Sequence, residues 1–279
     1  MPPRHLAGYR RDVADGAVLI TGATSGLGRW LAIELGKLGR TVLVHGRDSS
    51  RVDETVAAVR AGGGAAEGYV ADLSALAACA RLAREVSARG DLQVLVNNAA
   101  VGFGAPGAGR VLSVDGFELR WAVNYLAPVA LTRALLDTLR AAAPSRVVNV
   151  GSVGQAPIDF DDLLMDCDYS GTVAYRRAKL APAAWSLELA EDLARTGVTV
   201  NCLHPATLMP TGMVIESGLP PMSTLDSGGK ATLHLVVDEV GSGRYFDGMR
   251  EARAHADAYD PNVRARLRAA TEQALNAHS

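Results

Sequence analysis

Short apolar runs rich in Val, Leu and Ile recur along the chain, separated by longer stretches whose apolar residues return every three to four positions. The runs predict strands at 18–21, 41–45, 66–71, 93–97, 146–151, 198–204 and 244–246. The longer stretches predict helices at 26–38, 49–60, 74–89, 114–140 and 172–195. Strands that alternate with helices of this length call for right-handed crossovers and a parallel sheet covered on both faces. The expectation is a single-domain α/β, doubly wound fold of about seven parallel strands. Local signals agree: Gly39 stands where a helix would end, and Ser49 and Ser74 stand where two helices would begin.

After His204 the pattern breaks. Pro205, Pro210, Gly212, Gly218, Pro220 and Pro221 interrupt it, with Met209, Met213 and Met222 between them. Such a segment at the carboxyl edge of a sheet predicts a mobile lid near 207–228. No internal repeat and no low-complexity linker divides the 279 residues.

Composition narrows the possibilities without choosing among them. The chain is 48% hydrophobic and 21% charged, enough apolar residue to fill a sizeable core. Its formal net charge of −2 comes from interspersed acids and bases, which argues against a nucleic-acid partner. The three cysteines Cys79, Cys167 and Cys202 are far apart and form no paired motif, as expected of reduced thiols in a cytoplasmic protein. No apolar stretch is long enough to cross a bilayer. Residues 1–15 carry Arg4, Arg10, Arg11 and two prolines but no apolar core, and so do not read as a signal peptide.

Candidate chemistry sits at two places. Directly after the first strand comes Thr21-Gly22-Ala23-Thr24-Ser25-Gly26-Leu27-Gly28, a glycine-rich turn opening a helix. Glycine allows the tight turn and the close approach of a phosphate, whose charge then meets the helix N-terminus. After the second strand, His45-Gly46-Arg47-Asp48 has no acid at the strand end; Gly46 leaves space there, and Arg47 can pair with a 2′-phosphate through its planar fork. That favours NADP over NAD. Asp72 closes the third strand, placed to accept a hydrogen bond from an adenine amino group. Far downstream, Tyr175 and Lys179 stand four residues apart within a predicted helix and so share a face. A cation beneath a phenol favours the phenolate, so Lys179 is expected to lower the pKa of Tyr175.

With these motifs in order, the chain resembles the short-chain dehydrogenase/reductase family, and within it the retinol dehydrogenase-like, NADP-preferring branch. The likeness spans roughly 16–250 and rests on Thr21–Gly28, Asp72, Asn97-Asn98-Ala99-Ala100, Asn124, Val150-Gly151-Ser152 and Tyr175-x-x-x-Lys179. Leu203-His204-Pro205 and Tyr245-Phe246 suggest the branch. Ala100, Ala178 and Ala206 depart from the common pattern without removing a catalytic group. The resemblance implies a Rossmann fold with a mainly nucleotide-binding half at 16–150, a catalytic and substrate half at 151–250, and a C-terminal extension at 251–279. It implies NADP contacts from Gly22, Thr24, Ser25, Gly26, Leu27, Gly28, Arg47, Asp72, Leu73, Asn98, Ala99, Tyr175, Lys179, Pro205, Thr207 and Leu208.

The family likeness also distributes the chemistry. Ser152 is to hold the substrate oxygen, Tyr175 to exchange a proton with it, and Lys179 to tune the tyrosine and hold the nicotinamide ribose. Asn124 is to keep a water in a proton relay. The expected activity is reduction of a ketone or aldehyde, or oxidation of the alcohol, of a hydrophobic small molecule. Two alternatives stay open: a non-redox enzyme such as a dehydratase, epimerase or cyclase using the same Ser and Tyr, and a nucleotide-sensing binding protein. In similar proteins two helices pack against symmetry mates to form a homodimer or homotetramer. Here Leu126, Val129, Leu131, Ala181, Ala184, Trp185 and Leu189 supply such a face or else belong to the core.

Overall fold

The structure, a computed structural model, describes residues 16–278, so the N-terminal extension 1–15 lies outside the described residues. β1 (Ala17–Ile20), β2 (Thr41–Gly46), β3 (Ala65–Val70), β4 (Leu92–Asn97), β5 (Ser145–Val150), β6 (Val198–His204) and β7 (Arg244–Asp247) are parallel. β8 (Arg250–Ala252) adds an antiparallel edge beyond the seven strands expected, and the sheet order is β3-β2-β1-β4-β5-β6-β7-β8. Its sequence Arg-Glu-Ala has no apolar run to announce it; the hairpin turns at Gly248, whose φ of 58° suits glycine.

Successive strand residues point to opposite faces, and both faces are packed. Leu19, Leu43, Leu95 and Val147 join the core beneath α3 (Leu76–Ser87), α5 (Ala127–Ala141) and α6 (Gly171–Asp192). Val18, Ile20, Val44, Val96 and Val148 join the core beneath α1 (Gly26–Lys37), α2 (Ser49–Ala61) and α8 (Leu225–Val237). The chain winds outward from β1 to β3 and then from β4 to β8, so the order reverses between β1 and β4. A reversal of this kind opens a crevice at the strands' carboxyl ends.

Helix ends differ from the sequence reading in instructive ways. Gly39 follows α1 with φ of 78°, as expected. α2 is capped by Asp48, whose carboxylate accepts from the Arg51 N–H at 3.1 Å, and Ser49 is the first helical residue. α3 starts at Leu76, beyond Ser74, and its Leu76 N–H donates to Asp115 from a distant loop at 2.8 Å. The helix expected from 114 begins at Leu119, where the Glu118 carboxylate caps Arg120 and Trp121. From α4 (Leu119–Trp121) it passes through a π turn at Ala122–Leu126 into α5.

Besides a short helix in the expected lid, two longer helices depart from the sequence reading. α8 lies partly within the expected lid, disguised by Gly228 and Gly229; a Cβ at Gly229 would overlap the Trp30 ring. α9 (Pro261–Asn276) buries only Leu267 and Thr271 among its own residues. It packs on the π turn, α5 and α6 through Tyr125–Thr271 (2.6 Å), Arg133–Glu272 (2.5 Å), Arg264–Glu191 (2.7 Å) and an Arg268–Glu188 ion pair. Leu126, Val129, Leu131, Ala181, Ala184, Trp185 and Leu189 are thereby core residues of one chain and do not form an association face. Among the described residues, no helix is long and apolar enough to cross a membrane.

Candidate active site

The glycine turn is held by the loop after β4. Thr21 Oγ1 accepts from the Asn98 and Ala99 N–H groups at 2.9 and 3.0 Å, and Asn98 Nδ2 donates to the carbonyls of Thr21 and Gly22. Gly22, with φ of 65°, donates its N–H to His45 Nδ1 at 3.2 Å, and His45 Nε2 reaches the Ala71 carbonyl at 3.1 Å. Those partners require Nδ1 to accept and Nε2 to donate, the neutral imidazole. Burial agrees, pushing the His45 pKa down to about 4. Gly28 admits no side chain, since a Cβ there would lie 2.4 Å from the Gly22 oxygen. The resulting turn presents the first residues of α1, with no acid in its first turn, to the crevice.

That crevice is one cleft of about 930 Å³. It brings together Gly22, Thr24, Ser25, Gly26, Leu27, Gly28, Arg47, Asp72, Leu73, Asn98, Ala99, Pro205, Thr207 and Leu208 with Ser152, Tyr175 and Lys179. Arg47 stands at the β2 end, where Arg51 joins it. Gly46 lines the cleft beside Arg47, and a Cβ there would strike Thr24 Cγ2 at 2.4 Å, so its small size also packs β2 against the turn. Asn124 is the exception. It lies behind the cleft on the π turn, its amide paired both ways with the Val101 backbone, from N–H at 2.7 Å and to C=O at 3.0 Å.

At the chemical end Tyr175 and Lys179 share a face of α6, as the spacing requires. Lys179 Nζ donates to the Val150 carbonyl at 2.8 Å and lies 5.8 Å from the Tyr175 ring centroid. Burial pushes the phenol up to about 12, opposed by a hydrogen bond from Ser152. Burial likewise pushes the Lys179 ammonium down to about 8. The expectation that Lys179 would lower the tyrosine pKa is therefore not met. Lys179 is drawn to the end of β5, and the dry surroundings dominate both groups.

Several residues of the site carry no sequence motif. Phe103 meets Tyr175 edge to face with centroids 4.8 Å apart. Its loop is fixed by Arg120, which donates from Nε to the Gly102 carbonyl at 2.8 Å and pairs with buried Glu118 at 3.0 Å. Tyr169, just before α6, joins both. The expected lid supplies α7 (Gly212–Glu216): Met213 packs on Gly102, and Thr211 approaches Gly26 across the cleft. Only the Val-Gly-Phe continuation of Asn-Asn-Ala-Ala and the methionines after His204 could have pointed here. His204 bonds Thr207 Oγ1 at 3.1 Å as a structural histidine, and among the described residues no group of side chains could hold a metal. In the loop between β5 and α6, Asp159 pairs with Arg177, Asp161 with Arg266 and Asp166 with Arg110.

A parallel sheet that reverses at a glycine turn, with a Ser–Tyr–Lys group across the cleft, defines a nucleotide-dependent α/β enzyme class. The short chain dehydrogenase profile matches residues 16–219, and the chain belongs to that family. It is 36% identical to retinol dehydrogenase 13 of Mus musculus over 275 residues, covering 90% of this chain and 80% of the relative. An uncharacterised protein from Mycobacterium paratuberculosis superposes with a TM-score of 0.78 at 29% identity, covering 97% of this chain and 96% of that one. The NADP complex of RhlG from Pseudomonas aeruginosa gives 0.69 at 25% identity, covering 85% and 96%.

Proposed function

We propose that this chain is an NADP-dependent oxidoreductase that interconverts the carbonyl and alcohol forms of a hydrophobic small molecule. The observation that carries the reading is the single cleft joining Arg47 and Arg51 at one end to Ser152, Tyr175 and Lys179 at the other. The cradle fits the cofactor: its glycine turn tolerates no Cβ at Gly28, and its helix N-terminus carries no competing acid. When bound, NADPH supplies the hydride that the carbonyl carbon accepts. Tyr175, protonated at neutral pH, gives its proton to the carbonyl oxygen, and Ser152 donates a hydrogen bond to the same oxygen. In the oxidative direction both transfers reverse. Lys179 holds the ribose, and Asn124 fixes the loop bearing Val101 at the cleft edge. Phe103, Met209, Met213 and Leu219 give the substrate end apolar walls, which supports a hydrophobic substrate; retinal is the first compound to try, given the retinol dehydrogenase relative.

The test is a fluorescence titration with NADPH and NADH, followed by turnover of retinal and a panel of apolar aldehydes and ketones. Arg47→Ala is expected to weaken NADPH binding about tenfold or more and to leave NADH nearly untouched. Tyr175→Phe is expected to abolish turnover with NADPH affinity retained. A Phe variant that still reduces the carbonyl would overturn the reading.

A further inference from the structure

The Ser152 carbonyl oxygen accepts two hydrogen bonds, from the Tyr245 hydroxyl at 2.8 Å and from Gln155 Nε2 at 2.7 Å. A carbonyl has two lone pairs, so this peptide is fully committed and pinned from two sides. Both donors are buried, Tyr245 to 3% exposure and Gln155 to 6%. They come from different parts of the fold, Tyr245 from β7 and Gln155 from the loop after β5. The other end of the Gln155 amide accepts the His255 N–H at 2.7 Å. His255 begins the 3-10 turn Ala256–Tyr259, which packs on α6, the helix bearing Tyr175. Meanwhile Ser152 Oγ accepts from the Gly154 N–H at 3.0 Å, which leaves its own proton free to be donated toward the phenol.

We propose that Gln155 and Tyr245 are positioning residues for Ser152, and that the chain beyond β7 acts on the chemistry through the His255 N–H and the Gln155 amide. The inference rests on the reading of Ser152 and Tyr175 as the acid–base pair. Neither Gln155 nor Tyr245 lines the cleft, and their hydrogen bonds to the Ser152 carbonyl give both a route to the chemistry. Freed on one side, the Ser152 peptide can rotate and carry Oγ away from the phenol. A displacement of about 1 Å in a reacting group can cost up to about a hundredfold in rate.

The experiment uses the full chain with Gln155→Met, which keeps length and loses the donor, and Tyr245→Phe, each alone and in a Ser152→Ala background. His255 has φ of −51°, close to that imposed by proline, so His255→Pro deletes this one N–H without demanding a new backbone angle. His255→Ala keeps the N–H and is the control. The readouts are kcat with NADPH and the fastest compound among retinal and the apolar panel, NADPH affinity, and the amide resonance of Gly154. Gln155→Met, Tyr245→Phe and His255→Pro are each expected to lower kcat roughly tenfold with NADPH affinity unchanged. Each is also expected to shift the Gly154 resonance, and none is expected to cost anything further once Ser152 is Ala. His255→Ala should match the parent. Losses that persist in the Ser152→Ala background, or an unmoved Gly154 resonance, overturn the proposal. A Ser152→Ala chain with undiminished turnover, or no turnover of any compound, sinks the underlying reading instead, and the Gly154 resonance still decides whether Ser152 is being held.

Discussion

Lys179 Nζ donates a hydrogen bond to the Val150 carbonyl at 2.8 Å, a bond that ties α6 to the end of β5. The ammonium is almost wholly buried, and burial pushes its pKa from 10.5 to about 8. Tyr175, pushed up to about 12, keeps its proton well past that point. For the proposed carbonyl reduction, the first alkaline loss of activity is expected from Lys179, whose charge is lost as the pH rises through about 8. Profiles of kcat/KM and NADPH affinity against pH should fall there together. In Lys179→Arg the guanidinium keeps its charge, and the limb should move upward. A limb that stays in place in that variant assigns the titration elsewhere.

His45 predicts an acid weakness in the nucleotide end. Its pKa is about 4 in the folded chain against an ordinary 6.5, so between these values only the unfolded chain takes up the proton. Stability then falls as pH drops from 6.5 toward 4, by on the order of 3 kcal/mol in full, and this group adds no pH dependence above 6.5. Urea unfolding across that range should show the slope, and His45→Asn should flatten it. An equal slope in both chains would place the acid sensitivity in other groups.

Most of the frame was legible because it is local. The β-branched runs locate seven strands, and the glycines of the turn announce a backbone that no other residue can follow. The Tyr–Lys spacing places both side chains on one helix face by geometry alone. What stayed hidden depends on distant partners. Leu76 opens α3 because Asp115 receives its N–H, and Glu118 delays α4 because its carboxylate reaches two backbone donors. α9 is helical beneath a mostly polar sequence because Leu267 joins the core and Thr271 bonds Tyr125 on the π turn. The direction of the Tyr175 shift was misjudged because the spacing records a neighbouring charge and says nothing of burial.

Glu118 and Arg120 form an ion pair with side-chain exposures of 2% and 5%. Removing one member leaves the other charged and dry, so Glu118→Ala should cost about 3–5 kcal/mol. It should also loosen Phe103 and the entry to α6, since Arg120 holds the Gly102 carbonyl and Tyr169. Denaturant midpoints measure the first effect. In the Glu118→Met, Arg120→Met pair, where no charge is stranded, part of the loss should return. A single variant within about 1 kcal/mol of the parent would mean that water reaches the pair.

The middle of α6 is covered within one chain. From Ala178 to Ala190 each residue is buried within one chain, so this stretch belongs to the interior. α9 lies on the outer side, held by Arg264–Glu191, Arg268–Glu188 and Arg133–Glu272, so association through α5 and α6 would first require these contacts to be displaced. The chain is accordingly expected to sediment as a monomer at micromolar concentration. The replacements Arg264→Glu and Arg268→Glu set like charges against Glu191 and Glu188, and they should loosen α9 enough to expose Trp185 and Leu189. Concentration-dependent association should then appear in the variant and be absent from the parent. A parent that sediments as a stable dimer, indifferent to these substitutions, would show that another face of the molecule mediates association.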